Sequence, residues 1–394
     1  MAGQSRIIIA LILITGAISA TTWYVHPDST LNSIQSALDS CANNDTVLVG
    51  PGTYHENIVW PNVRGIKLTS EIGPDTTIID GDSIGDVLWI DSCPSVDTTT
   101  IIDGFTIRNG SPNCGIFCQA IPGGSSPTIA NNIITANVCG VSCGFASPVI
   151  IGNTIIGNGN GINLYASQAS IINNEISMND GHGIAGYIFA PTIIGNIISD
   201  NSVCGLDGWY ASPIISYTTI SQNAGHGLSF GDGSPIIDHC VIAENGGDGI
   251  AFHWAYITYP EIHYSDIVNN TGYGVRNNSS NNIVNAVNNW WGDATGPYHP
   301  TLNPGGLGDS VSDYVDFNPW LTGPGVMDRP IVKPVKEGEY LGATIFSGPL
   351  QLRAGKKCRV YDIVGRIVEP NRITRGVYFI ELEGRISHKV IKVR

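Results

Sequence analysis

Two histidines set between glycines carry the most suggestive acid–base chemistry in this chain: Gly181-His-Gly183 and Gly225-His-Gly227. Imidazole titrates closest to neutral pH of all side chains and serves equally as proton donor, proton acceptor or metal ligand. Asp180 precedes His182 by two positions, and Asp248 fills the histidine's place in a later unit, so Asp180, His182, His226 and Asp248 are the candidates for acid–base work. A glycosidase needs two carboxyl groups at a defined separation across one bond, and the sequence specifies no such pair. Removing a proton beside a sugar carboxylate instead needs a cationic base and an acidic calcium-binding cluster. Arg108 and Arg276 are the only strong bases from residue 101 to 290, and they lie at opposite ends of that stretch. The same column also holds Asn160 and Cys204 before its glycines, so histidine here equally reads as decoration of a recurrent turn.

Aromatic residues offer binding chemistry. Tyr165, Tyr187 and Trp209 stand four residues past successive glycines, with His253 later in the same column, and Phe145, Tyr210 and Trp254 one position on. Strand alternation with Ile162/Leu164, Ile184/Gly186 and Leu206/Gly208 inward points the first column outward, where rings along a rigid face stack on sugars and Asp207 and Asn163 accept hydroxyl hydrogen bonds. The alternative is that these rings pack beneath a long segment from Trp254 to Pro260. Nine cysteines supply a third chemistry. Cys114 and Cys118 align over Cys139 and Cys143, which suits disulfides or buried thiols in an oxidising compartment. A four-thiolate zinc site is the sharper reading of the same C-x3-C spacing. Cys204 and Cys240 read as buried small residues. No cofactor is expected.

The elements that must position these groups come from a repeat. Turns at Pro127, Pro148, Pro191, Pro213, Pro235 and Pro260, with Ser170 in the place of a missing proline, mark units of about 21–22 residues reading S-P-x-I-x-x-N-x-I-x-x-N-x-x-x-G-I. Ile134, Ile155, Ile176, Ile198, Ile220, Ile242 and Ile267 keep one column. Asn137, Asn158, Asn179, Asn201, Asn223, Asn245 and Asn270 keep a second, and Gly140, Gly161, Gly183, Gly205, Gly227, Gly249 and Gly274 a third. Apolar residues alternate over three to five positions, which is strand spacing, so each unit holds three short strands that stack in parallel about 4.8 Å from the next coil. The asparagine is expected to take a left-handed turn conformation and to bond its counterpart one coil away. The glycine is expected to relieve a tight turn. Leu31, Ile34 and Leu38 share one face of a short helix expected over Thr30–Ser40, a cap for the open end of the solenoid. Strands are expected at Thr46–Val49, Ile66–Thr69, Thr77–Ile79 and Val87–Ile90.

Charge divides the chain. Of 394 residues only 13% are charged, against the usual quarter, and 48 are glycine. Residues 331–394 hold 13 basic and 6 acidic side chains; the preceding 330 hold 6 basic and 27 acidic, with no lysine between Lys67 and Lys333. So acidic a body excludes nucleic acid as a partner and repels polyuronates. At the other end, Arg6, the apolar run Ile7–Ile14 and the small-residue end Ile18-Ser-Ala20 predict a signal peptide over 1–20. A single-pass anchor is the competing reading, disfavoured because the run is shorter than the ~20 residues a bilayer requires.

Family resemblance agrees with this architecture. Trp23–Ile58, with PGTYHENI near its end, resembles the opening coils of pectin-lyase-like β-helix proteins. Residues 101–290 resemble the right-handed β-helix repeat of extracellular bacterial proteins, and Asn289-Trp-Trp-Gly-Asp-Ala-Thr-Gly-Pro297 through Trp320 resembles its closing segment. The G-H-G pairs invite comparison with polygalacturonases, but the acid pairs and R-I-K of that family do not appear in register. PGTYHENI is also similar to pectin methylesterases, whose catalytic aspartate motifs are absent. In the tail, Val360-Tyr-Asp-Ile-Val-Gly-Arg366, Arg375-Gly-Val-Tyr-Phe-Ile380 and Lys389-Val-Ile-Lys392 resemble the type A sorting domain of type IX secretion, the alternative being an ordinary accessory β-domain. That resemblance implies the type IX secretion machinery as a partner and the outer surface or surroundings of a didermic bacterium as the location.

The expectation is therefore an all-β chain. It comprises a signal peptide (1–20), a right-handed parallel β-helix with an N-terminal cap (21–321), a linker (322–345) and a small C-terminal β-sandwich for sorting (346–394). It carries a polysaccharide-binding or adhesin-like role through Tyr165, Tyr187, Trp209, Asp207 and Trp254. A polysaccharide hydrolase or lyase is the alternative, and a ligand-free structural surface protein a third reading.

Overall fold

The computed structural model describes residues 20–120, 123–253, 259–326, 343–346, 358–362, 368–369, 376–382 and 385–392. The signal-peptide expectation lies outside them, as does Trp254. The chain divides into two units, Met1–Met327 and Asp328–Arg394.

The first unit is a parallel β-solenoid. Each coil contributes one strand to each of three sheets. Sheet A runs through 13 strands from Thr22–Val25 to Val315–Asp316; sheet B through ten, from Gly52–His55 to Asp266–Val268; sheet C through ten, from Ile58–Val59 to Val275–Asn277. In the central coils, where strands are mostly three residues long in sheets A and B, the middle residue points inward. Ile134, Ile155, Ile176, Ile198, Ile220, Ile242 and Ile267 stack in register through sheet B and are fully buried. Ile129, Ile150, Ile171, Ile193, Ile215, Ile237 and Ile262 do the same through sheet A. Strands this short order only because every coil buries its β-branched residue against two neighbours, which a single coil cannot do.

The corners hold two buried asparagine ladders. In the first, each Nδ2 donates to the Oδ1 of the next coil from Asn137 to Asn270, at 2.9–3.1 Å. The Asp309 carboxylate ends the ladder by accepting from Asn270 N and Nδ2, at 3.0 Å each. The second runs Asn132–Asn153–Asn174–Asn196 and passes to Thr218. The amide bonding between coils matches expectation; the backbone conformation does not. The left-handed residue is the one before the ladder asparagine: Ala136, Met178, Asp200, Gln222, Glu244 and Asn269 have φ between 52° and 59°. The asparagine itself points inward, where its amide satisfies main-chain groups that a turn buries.

The glycine column also has another cause than the one expected. A Cβ on Gly183 would lie 2.7 Å from Gly205 O and 2.7 Å from Ile198 Cγ2. Close approach of the next coil, rather than turn geometry, excludes a side chain there.

At the N-terminal end the helix spans Ile34–Asp39, shorter than expected, and packs against sheets A and C. Ser33 caps it, and the Glu56 carboxylate accepts from Ile34 N at 2.7 Å and Gln35 N at 2.8 Å, so its first turn is satisfied from another coil. Ile34, Ala37 and Leu38 are buried. At the other end Trp291, Val311, Val315 and Phe317 close the core. Among the described residues of the second unit, Ala343–Phe346, Cys358–Asp362, Gly376–Leu382 and Arg385–Lys392 form a four-stranded sheet; the rest of the sandwich expected over 346–394 lies outside the described residues.

Candidate functional site

The histidine column is first of all a capping ladder. Asn160 Oδ1 accepts from His182 N at 2.9 Å, His226 Nδ1 from Asp248 N at 2.9 Å, and Asp248 Oδ1 from Tyr273 N at 2.8 Å. His182 Nδ1 receives Cys204 N more weakly, at 3.4 Å. Asparagine, histidine and aspartate share an acceptor two bonds beyond Cβ, which is why they alternate here. Asp180 is exposed and shares no hydrogen bond or ion pair with His182 among the described residues.

Outward positions of sheet C make a groove along the solenoid. Its floor is the register Trp89–Phe117–Ser142–Asn163–Ala185–Asp207–Ser229–Ala251–Arg276. One side is the register Gln119–Gly144–Tyr165–Tyr187–Trp209. Tyr165, Tyr187 and Trp209 are 47%, 43% and 41% exposed, so they are not packed away. The Tyr165 and Tyr187 rings are nearly parallel (9°) with centroids 6.1 Å apart, and Phe145 and Tyr210 meet them edge-on. With centroids 6.1 Å apart, beyond the ~3.5–4 Å of full face-to-face contact, neither ring wholly covers the other's face. The Trp209 indole rests over Gly231 in the next coil, where any Cβ would strike its ring. A cleft of ≈ 480 Å³ lies against Phe117, Asn163, Tyr165 and Tyr187. A second, of ≈ 490 Å³, reaches Trp89 and Asp91 and shares Phe117, Gln119 and Asn163 with the first, so the two are continuous.

Beyond Trp209, where neither cleft reaches and Ser229 and Ala251 are buried, the same outward register becomes polar. Ser229 Oγ donates to Asp207 Oδ1 at 2.7 Å and lies 3.3 Å from His253 Nε2. The His226 and His253 rings approach to 5.6 Å. Asp248, almost wholly buried, accepts from Arg276 Nη2 at 2.9 Å, and the guanidinium lies 4.8 Å over the Tyr273 ring. Asp248 Oδ2 lacks a hydrogen bond and faces His226 Nδ1 at 3.4 Å. Burial, then the neighbouring His226, holds the His253 imidazole below its usual pKa against the opposing pull of Asp207 and Asp248. Arg276 thus belongs to this cluster. Its isolation in sequence reflects the two coils separating it from His226, not distance. Ser229, His253 and Arg276 escaped the sequence reading as a group; the signal was the outward column two residues past each column glycine, which turns from Asn163 and Ala185 to Asp207, Ser229 and Arg276.

The four cysteines fall into two pairs. Cys114 pairs with Cys139 and Cys118 with Cys143 in register, with thiol–thiol contacts and burial raising the Cys139 and Cys143 pKa values. Four residues of strand, ~13 Å, separate the pairs, so they do not converge on a tetrahedral zinc ion. Among the described residues one trio of potential metal ligands gathers: His55, Asp80 and Asp82. It is already occupied. Arg108 Nε and Asn109 Nδ2 bond Asp80 at 2.7 and 2.8 Å, and His55 Nδ1 bonds Asp82 at 2.7 Å.

Residues 139–290 match the family described as right handed beta helix region. The solenoid is a right-handed parallel β-helix. Residues 42–212 also match the family described as periplasmic copper-binding protein (NosD). Among solved structures, this β-helix is similar to two A-modules of mannuronan C-5 epimerases from Azotobacter vinelandii. For AlgE4 the identity is 17% and the TM-score 0.50, covering 65% of this chain and 90% of that one. For AlgE6 the values are 16% and 0.51, covering 73% and 94%. At such identity the likeness is one of fold. No curated protein matches the sequence. Among the described residues no helix is long and apolar enough to cross a membrane.

Proposed function

We propose that this protein is an exported β-helix that binds a polysaccharide along the outward face of sheet C, at the surface or in the surroundings of a didermic bacterium. One observation carries the reading. Tyr165, Tyr187 and Trp209 stand exposed in consecutive coils, the first two lining a cleft with Asn163, and Asp207 continues the Asn163–Ala185 register beside Trp209. Aromatic faces at the fixed coil spacing suit the apolar faces of successive sugar rings, and a rigid solenoid loses little entropy in presenting them. Export rests on the N-terminal leader and on the three tail segments that resemble a type IX sorting domain. Copper, named in the description of the NosD family, has no part in this reading, because Arg108 already sets a positive charge against the one ligand trio.

The test is a glycan array read with the wild-type chain and with Trp209→Ala. Retention of a glycan by the wild type and its loss by the variant supports the reading. Equal retention by both removes the aromatic column, and no retention on any glycan leaves the purely structural surface module. A second reading, a polysaccharide hydrolase or lyase, is favoured by the gathering of Asp207, Asp248, His226, His253 and Arg276 on one face. It requires new reducing ends or unsaturated sugars released from the bound glycan, abolished by His253→Ala.

A further inference from the structure

The two histidines at the polar end of the outward face of sheet C are held in one tautomer but present opposite free atoms. His226 Nδ1 accepts the Asp248 backbone N–H at 2.9 Å, so the neutral ring carries its proton on Nε2. Ser229 has a single hydroxyl proton, and Asp207, which can only accept, takes it at 2.7 Å. Ser229 Oγ must then receive its second bond, the 3.3 Å contact to His253, from an Nε2–H. His253 is left with a lone pair on Nδ1, which no hydrogen bond reaches among the described residues. His226 therefore offers an N–H and His253 a lone pair, on rings 5.6 Å apart beside the buried residues Ser229 and Ala251. The His226 side chain is 28% exposed and His253 half-buried, one coil beyond the Gly231 on which Trp209 rests.

We infer that His226 and His253 form a hydroxyl-reading pair that selects a neutral sugar unit next to Trp209, His226 donating to a sugar hydroxyl and His253 accepting from one. A hydroxyl gives and takes one hydrogen bond each, as this pair requires, whereas a carboxylate only accepts and leaves His253 unmatched. The charges around the pair agree. Arg276 is already engaged by Asp248, and Asp207 adds a negative charge on the Trp209 side, so an anionic unit meets repulsion. This inference rests on the groove being a glycan site, as proposed above.

The test is titration calorimetry of the full chain with cellohexaose, xylohexaose and mannohexaose as neutral probes and an oligomannuronate of equal length as the anionic one. His226→Asn keeps the backbone acceptor, as Asn160 does in the same column, but its amide N–H groups end one bond short of the Nε2 position, so the donor is withdrawn from the ligand; His253→Asn keeps an acceptor near the Nδ1 position where His253→Ala does not. A neutral probe is expected to bind, and to weaken about three- to tenfold in His226→Asn and in His253→Ala, the loss of one hydrogen bond each. His253→Asn should recover part of that loss. Acidifying below the ordinary imidazole range should weaken the wild type, as His253 gains a proton among Asp207, His226, Asp248 and Arg276, and should weaken His253→Ala less. Nitrogen-edited NMR should find the proton of both rings on Nε2; a proton on Nδ1 of either overturns the inference without any ligand. Binding that needs Trp209 but ignores both histidines, or favours the oligomannuronate, overturns it while the glycan groove stands. Binding of none of the four probes overturns the inference, and the array then decides the groove itself.

Discussion

Replacing Asn179 by alanine removes one rung from the middle of the longer asparagine ladder, and its cost follows from the bonds that rung makes. Asn179 Oδ1 accepts from Asn158 N at 3.0 Å and Nδ2 at 3.1 Å, and its own Nδ2 donates to Ile155 O at 3.2 Å and Asn201 Oδ1 at 2.9 Å. With alanine there, the Asn158 N–H is orphaned in a fully buried corner. The Asn158 amide loses one of its bonds, keeping Ile134 O at 2.9 Å and the longer contact to Ile156 O at 3.3 Å. An orphaned buried donor costs about 1–3 kcal/mol and a lost hydrogen bond about 0.5–1.5 kcal/mol. The expected destabilisation is therefore about 3 kcal/mol, with little cavity cost because the side chain is small. Because coils bind only to their neighbours, the effect should be local. Hydrogen exchange in peptides covering 150–205 should quicken by about a hundredfold, while peptides around Thr46–Ser70 keep their protection. Asn163→Ala, on the outward face, should change exchange by less than about twofold, in line with surface substitutions of up to ~0.5 kcal/mol. If the two variants prove alike, or the Asn179→Ala effect spreads evenly from end to end, the ladder is not what fixes these corners.

Three further outcomes follow from particular contacts. Asp45 accepts from Thr21 N, Ala42 N and Trp23 Nε1; burial opposes these bonds, but they win and hold its carboxyl below the usual value. A depressed acid contributes stability above its unfolded pKa and loses it as pH falls through the folded one, so Asp45→Asn should lower the urea midpoint at pH 6, and the gap to the wild type should narrow as acid protonates Asp45 below the ordinary carboxylate range. Gly231→Val should displace the Trp209 indole, visible as a shift in tryptophan emission, and abolish glycan retention while circular dichroism stays unchanged; retention at full strength would show that the seat on Gly231 is irrelevant. Oxidised, exported protein should carry Cys114–Cys139 and Cys118–Cys143 bridges, read as linked peptides after proteolysis without reductant; linkage in any other pairing contradicts the register.

The coils were legible in the sequence because their determinants are periodic. The isoleucine and asparagine columns recur at one spacing, and a column fixes register as soon as two members are aligned. Exposure of Tyr165, Tyr187 and Trp209 followed from alternation alone. Local conformation was less legible. The ladder asparagine and the left-handed residue before it are neighbours at the same corner, and composition favours asparagine for both roles. Only the bonds from Asn158 to Asn179 tell them apart.

What the sequence hid most completely is the cluster at the end of the groove, and the reason is geometric. Asp207, Ser229, His253 and Arg276 are separated by 22 to 24 residues each, so no local motif contains two of them, yet the coil period sets them side by side. In a solenoid the chemically meaningful neighbour is one period away. A motif search along the chain finds Gly-His-Gly, where the imidazole chiefly caps the next coil's backbone, and misses the pair of imidazoles that meet across coils. The tautomers show the same division. The bond that makes His226 look structural, from Asp248 N to its Nδ1, is the one that fixes its remaining proton on the outward nitrogen. Capping and presentation are thus two ends of one ring, and the structural role of the column supports a binding role for its free edge.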